Sequence, residues 1–308
     1  MTDLPRGVLA ALVTPLTDAL EPDTAALVAH SRWLLGHGCT GLVALATAGE
    51  ANSLSLAQRL RIVDAAANNG LPMAQMIIGG GSCALDEAAT LTKAIAASGA
   101  AGVLLLPPFY YRDAGEAGLF RFYAKVIERV ADPGLRIVLH HRPQASGAPI
   151  TEALIRQLKE AFGAIIAGVQ NGAGDWATTA ALIRDFPALA VFSGTERFLL
   201  AALRAGGQGC ISATLNFTAP LAGPIYRQWQ GTAAVALQEE LSAVRQVFDE
   251  FPTPAAQKEI LARLTGHRGW RNLLPPLLPL AAARGDELAQ QLVALPAWRT
   301  VLAAIGAA

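Results

Sequence analysis

The chain has 308 residues, 53% of them apolar, enough to fill the core of one large domain or two small ones and too much for a disordered chain. Its 24 basic and 24 acidic side chains cancel and charged residues make up only 16%, so no net field draws it to nucleic acid. No apolar run approaches the ~20 residues that cross a bilayer, Met1-Thr2-Asp3-Leu4-Pro5 lacks the pattern of a signal peptide, and the scattered Cys39, Cys83 and Cys210 read as buried thiols of a reducing, cytoplasmic compartment.

Short apolar runs alternate with stretches of helical spacing along the chain. Residues 8–13 form the first run, and residues 23–35 then place Ala26, Leu27, His30, Trp33 and Leu34 on one helical face that Gly36 and Gly38 end. Runs at 41–46, 73–78 and 103–106 follow, with a helix predicted over 85–97 and stopped by Ser98-Gly99. A helix over 119–130 leads to the run 136–139, and a helix over 151–162, capped by Thr151, leads to the run 165–169. Residues 182–186 stop before Pro187, the run 189–192 follows, and 198–205 stops at Gly206-Gly207 before the last run, 210–213. All eight runs are continuous in apolar residues instead of alternating, as strands covered on both faces must be. Their even spacing predicts an α/β fold, a (β/α)8 TIM barrel over residues 1–216; a doubly wound open sheet is the alternative. From 217 to 308 no strand-like run occurs. Helical spacing over 222–248, 255–264 and from Gly285 onward, broken near Pro296, predicts a C-terminal helical extension.

A barrel of this kind binds its ligand at the C-terminal ends of the strands. The polar residues there are few: Thr14; Thr47 and Glu50; Gly79 to Ser82; Tyr110 and Tyr111; His140, His141 and Arg142; Gln170 and Asn171; Ser193 to Glu196; Ser212 and Thr214. Consecutive strand residues point to opposite sides, so only one of His140 and His141 faces the mouth. Near neutrality an imidazole transfers protons readily, which makes His140 a candidate acid/base or hydrogen-bonding group. A metal held by a histidine with Glu50 or Glu196 is a further possibility, but no His-x-His spacing supports it, so neither metal nor cofactor is expected. Gly79-Gly80-Gly81-Ser82 reads either as an anion-receiving turn or as a tight loop without a ligand.

Only four lysines occur. Lys93, Lys125 and Lys159 fall within outer helices and Lys258 in the extension, so none lies at a strand end. An imine-forming amine must be desolvated and aimed at a bound carbonyl, and the setting of Lys258 decides whether one exists.

With the strand ends in hand, the chain resembles the dihydrodipicolinate synthase and N-acetylneuraminate lyase family of pyruvate-dependent aldolases over nearly its full length. The landmarks are Leu12-Val13-Thr14-Pro15, Thr47-x-Gly49-Glu50 with Arg59, Gly81-Ser82, Pro107-Pro108-Phe109-Tyr110, Pro143 with Gly147, Gly168-Val169 with Gly174-Asp175, Ser193-Gly194, Gly209-x-Ile211-Ser212 and Pro275-Pro276-Leu277. The resemblance implies a barrel with a helical domain, a homotetramer built as a dimer of dimers, and a small oxo acid or sugar acid as partner. It places Tyr110 where a tyrosine reaches into the neighbouring protomer's site, and Thr47, Ala48, Ser193, Ile211 and Ser212 around the substrate. The departures fall on the chemistry: Gln170 stands at the Schiff-base lysine position, His140 at the proton-relay tyrosine, His141 at the asparagine after it, Ala145 at a carboxylate-clamping arginine, and Ala48 at a threonine that helps hold pyruvate's carboxylate. A primary amide is no nucleophile, so the resemblance implies binding without an imine. The alternative is a lyase or hydratase that uses His140 as acid/base, and a third possibility is a structural partner of a lysine-bearing homologue.

Overall fold

The structure is a computed structural model that describes residues 4–306. Part of the N-terminal reading, Met1 to Asp3, lies outside those residues. Eight parallel strands close into one barrel in sequence order: β1 (Gly7–Ala11), β2 (Gly41–Ala44), β3 (Met76–Gly79), β4 (Gly102–Leu105), β5 (Ile137–His141), β6 (Ile166–Asn171), β7 (Ala190–Ser193) and β8 (Gly209–Ser212). Pairing of Val8 with Cys210 and Leu9 with Ile211 completes the ring. Nearly every strand residue is buried, because side chains pointing inward fill the barrel and those pointing outward meet helices; this is why the sequence shows unbroken apolar runs.

Two strand ends differ from expectation in a way that matters for the site. β5 and β6 each continue two residues past their apolar runs, since His140 pairs with Gln170 and His141 with Asn171 in the same ladder. Backbone hydrogen bonding carries polar residues into the strand where no hydrophobic pattern marks them. β3 starts later than expected, at Met76; Met73–Gln75 instead form a 3-10 turn after Pro72, and the carbonyls of Met73 and Met76 both accept from the Ala101 N–H.

The outer helices are α1 (Thr24–Gly36), α2 (Leu56–Asn68), α3 (Leu85–Ala97), α4 (Gly115–Val130), the short α5 (Pro143–Ser146), α6 (Glu152–Phe162), α7 (Trp176–Asp185), α8 (Leu199–Arg204) and α9 (Leu215–Arg227). Asp23 and Thr151 cap α1 and α6 as their positions suggest, accepting from Ala26 N–H at 2.9 Å and Leu154 N–H at 3.1 Å. Helix α2 has no counterpart among the predicted helices, although Ser55 and Gln58 carry a reciprocal capping box that marks its start. Helix α9 runs across residue 216 and packs against β1 and α1, so it supplies the eighth outer helix of the barrel.

Four further helices follow: α10 (Ala233–Val247), α11 (Ala255–Thr265), α12 (Ala282–Val293) and α13 (Trp298–Ile305). The helical spacing over 222–248 is thus two helices, α9 and α10, separated by a turn that contains Gly231. The extension folds back over the strand ends. Gln238 of α10 donates to the Glu196 carbonyl and accepts from the Leu200 N–H, each at 3.0 Å, which fixes α10 to the turn after β7. Asn272 donates to the carbonyls of Leu16 and Thr17 beyond β1, each at 3.1 Å. Among the described residues no single helix is long and apolar enough to cross a membrane. Cys39 and Cys210 are buried, but Cys83 is exposed in the loop after β3, where its sulfur accepts from the Phe109 N–H at 3.4 Å.

Candidate functional site

The turn after β2 is built by backbone constraint. Leu45 and Glu50 both sit in the left-handed region, at φ 55° and 57°, on either side of a 3-10 turn over Thr47–Gly49. A β-branched-free but bulky leucine in that region is costly and needs surrounding structure to hold it. Gly79 supplies room: a Cβ there would lie 1.8 Å from the Leu45 carbonyl oxygen. Thr14 adds a restraint by donating to the Gly49 carbonyl at 2.8 Å. Gly80 and Gly81 likewise face close neighbours, Val103 and Leu106, and none of the three glycines lines the cavity at the barrel mouth. These close approaches suit a tight loop.

Glu50 ties the same turn to the extension. Its Oε1 lies 2.5 Å from Lys258 Nζ and its Oε2 accepts from the Leu274 N–H at 2.7 Å. Both partners of the ion pair have fully buried side chains. Burial pushes the Lys258 ammonium below its ordinary pKa, and the Glu50 charge and hydrogen bond oppose that shift. This lysine lies behind the Thr47 turn, paired with a carboxylate, and does not line the cavity. Lys93 and Lys125 are exposed on α3 and α4, and Lys159 donates to the Ile166 carbonyl at the opposite end of β6.

The cavity itself has a volume of about 80 Å³, room for roughly half a dozen water-sized groups. Thr47, Ala48, His140, Gln170, Ile211 and Ser212 line it, as the sequence suggests. Four of the remaining expected residues do not. His141 points away from its neighbour, as strand alternation demands, and its Nδ1 accepts from the Ile150 N–H at 3.1 Å. Ala145 is exposed on α5. Ser193 is spent inside its own turn, donating to the Thr195 carbonyl at 2.8 Å. Tyr110 is 76% exposed on the loop after β4, edge to face with the equally exposed Tyr111.

Three polar residues reach the cavity from outside the barrel proper: Arg245 of α10, Thr253 of the connection, and Gln257 of α11. No strand-end rule could locate them, because they come from the extension and only its folding back brings them in. Arg142, Gly194 and Thr214 complete the polar wall; they sit at strand ends but carried no assigned role.

The hydrogen-bond inventory divides this wall in two. Glu196, fully buried, accepts from the hydroxyls of Ser212 and Thr214. Within the described residues the side chains of Thr47, His140, Arg142 and Gln170 make no hydrogen bond at all, and the Gln170 Oε1 is a buried acceptor without a partner. Buried polar groups are almost always satisfied, so the unpartnered Gln170 Oε1, with Thr47, His140 and Arg142 presenting free polar atoms to the same cavity, marks a place for a polar ligand. His140 has its pKa lowered to about 3, first by burial and then by the charge of Arg142 and by His141. That shift favours the neutral imidazole, which can donate one N–H to a carbonyl or carboxylate. Burial and the neighbouring Arg245 charge hold the Arg142 guanidinium below its usual range. Neither carboxylate considered as a metal ligand is free, Glu50 being bound to Lys258 and Leu274 and Glu196 to two hydroxyls. Among the described residues no three His, Cys, Asp or Glu side chains converge to hold an ion.

Known proteins share this plan throughout its length. A "DapA-like lyase" of Chloroflexus aurantiacus is 33% identical over 90% of this chain and 92% of its own. A 4-hydroxy-tetrahydrodipicolinate synthase of Acidiphilium cryptum is 31% identical over 92% of this chain and 96% of its own. Among solved structures, dihydrodipicolinate synthase of Agrobacterium tumefaciens superposes with a TM-score of 0.87 at 26% identity, covering 94% of this chain and 99% of that one. YagE, a prophage protein of E. coli K12 solved in complex with pyruvate, superposes with a TM-score of 0.86 at 25% identity over 94% of this chain and 98% of its own. Residues 4–295 match the Dihydrodipicolinate synthetase family, and the chain belongs to that family.

Proposed function

We propose that the chain binds a small oxo acid or sugar acid reversibly at the barrel mouth and lacks the imine chemistry of a Schiff-base aldolase. The observation that carries this reading is Gln170: it sits one residue before the end of β6 and lines the cavity, while every lysine is elsewhere and Lys258 is paired with Glu50. An amide nitrogen shares its lone pair with the carbonyl and cannot attack a ketone, so a bound oxo acid stays a ketone. In this reading Thr47 and the turn around Ala48 receive the ligand's carboxylate, and His140 and Gln170 offer hydrogen bonds to its oxo or hydroxyl oxygens, each contributing about 1 kcal/mol of discrimination. Complex formation with pyruvate by the related YagE supports the ligand class. Assembly as a cytoplasmic homotetramer belongs to the same reading, and the exposed Tyr110 and Tyr111 support a contact with a second protomer at that loop. The test is calorimetry with pyruvate followed by borohydride reduction and intact mass measurement. Binding without mass gain is the expected outcome; a covalent adduct on any lysine overturns the proposal.

One observation favours a second reading, an active carbon-carbon or carbon-oxygen lyase, or hydratase, without an imine. His140 faces the cavity with no protein partner, so its neutral imidazole is free to polarise a carbonyl by N–H donation. Turnover of an oxo acid that disappears in His140→Ala would establish this reading; inactivity across oxo acids and sugar acids, with and without divalent metal, would remove it.

A further inference from the structure

Between β5 and β7 the charges near the cavity are unevenly paired. Arg142 and Arg245 line the cavity there, with Arg197 beside them, and the nearby carboxylates are Glu196, Asp249 and Asp175, none of which pairs with Arg142. Asp249 takes both Arg197 and Arg245, the latter with Nη1 2.6 Å from Oδ1, though the angle leaves that nitrogen without a hydrogen bond. Arg245 Nε lies 3.7 Å from Glu196 Oε2, beyond hydrogen-bond range, and that carboxylate already holds two hydroxyls. The next carboxylate along the rim, Asp175, caps α7 through the Thr178 N–H at 2.7 Å. None of these carboxylates takes Arg142, which has no ion pair and no hydrogen bond among the described residues.

Two guanidinium groups facing one small, partly desolvated cavity repel each other, and that of Arg142 has no protein anion paired with it. The consequence is visible in Arg142 itself, whose charged form is disfavoured by burial and by Arg245. Structures retain such an arrangement where an anion is received, since a planar guanidinium matches carboxylate and phosphate oxygens two at a time. We propose that Arg142 and Arg245 form a receiving site for a second anionic group of the ligand, a carboxylate or a phosphate, at the end away from the Thr47 turn. The inference rests on the reading of the barrel mouth as an oxo acid or sugar acid site and narrows its ligand to one that carries two anionic groups. It also gives α10 a part in specificity, because Arg245 comes from the extension while Arg142 comes from the barrel.

The test is calorimetry on the full chain with two matched pairs, pyruvate against 2-oxoglutarate and gluconate against 6-phosphogluconate, and with inorganic phosphate alone. The member with two anionic groups in at least one pair is expected to bind about tenfold more tightly or better, as for a charge-assisted contact, and to weaken more with added salt. The pair that shows the preference tells carboxylate from phosphate. Arg142→Ala is expected to abolish the preference, weakening the member with two anionic groups far more than the monoanion, and Arg245→Gln to reduce it. Equal affinity for both members of both pairs, or a preference that survives Arg142→Ala, overturns the inference while the oxo acid reading stands. Binding of inorganic phosphate that depends on Arg142, with no oxo or sugar acid bound, upholds the anion site and overturns that reading instead. Failure of every probe to bind overturns both.

Discussion

The two sides of the barrel mouth handle charge in opposite ways. On the β2 side, Lys258, Glu50 and the Leu274 N–H form a closed set in which every charge has its partner and neither charged side chain reaches solvent. On the β5 to β7 side, Arg142 has no partner, Arg245 has poorly aligned ones, and the Thr47, His140 and Gln170 side chains between the two sides make no protein hydrogen bond. A satisfied buried pair fixes geometry, whereas an unsatisfied group stores interaction for something that arrives later. The lysine thus anchors the extension over the barrel and the arginines are left for the ligand, whereas in the sequence the setting of Lys258 was an open question.

The sharpest way to break this contrast is to remove the anchor. Glu50→Ala leaves the Lys258 ammonium buried and unpaired, and a loss of about 3–5 kcal/mol in denaturant unfolding is expected. A loss below about 1 kcal/mol would mean that the pair anchors little. A smaller effect is expected from His140, which lies between the two sides. The unfolded chain takes up a proton at His140 near pH 6.5 and the folded chain only near about 3, so the unfolded state binds more protons throughout that window. Stability that is fully present above pH 6.5 is therefore lost as the pH falls toward 3, on the order of a few kcal/mol from this residue. Unfolding of His140→Gln measured across that window should show a flatter acid slope than wild type; parallel slopes would mean that the imidazole is already charged in the folded protein. The smallest effect belongs to Arg142→Ala. With no bond to lose and a like charge relieved, its stability should stay within about 0.5 kcal/mol of wild type or rise. A large loss would show that Arg142 is structural and not held in reserve for a ligand.

Much of the site was legible because it follows from strand ends. Residues 41–46 and 210–213 are apolar runs with polar residues next to them, and Thr47, Ala48, Ile211 and Ser212 duly line the cavity. His140 and Gln170 were readable for the same reason, and alternation correctly separates His140 from His141. Ser193 and Ala145 have equally suggestive positions, yet a local turn consumes the hydroxyl of one and α5 turns the other outward. Short-range backbone geometry of that kind leaves no periodic trace. The capping box that starts α2 did leave one, in Ser55 and Gln58.

What the sequence determined by itself was the barrel, through eight apolar runs that only a sheet covered on both faces can bury, and the inventory of amines, since four lysines can be counted without coordinates. Only the tertiary structure decided where the charges of the extension go. Lys258 and Arg245 are 13 residues apart on two successive helices, and nothing in their neighbourhoods says that one will be neutralised by Glu50 and the other brought beside Arg142. That outcome depends on how α10 and α11 pack across the strand ends, and packing joins residues far apart in the chain whose pairing no local pattern encodes.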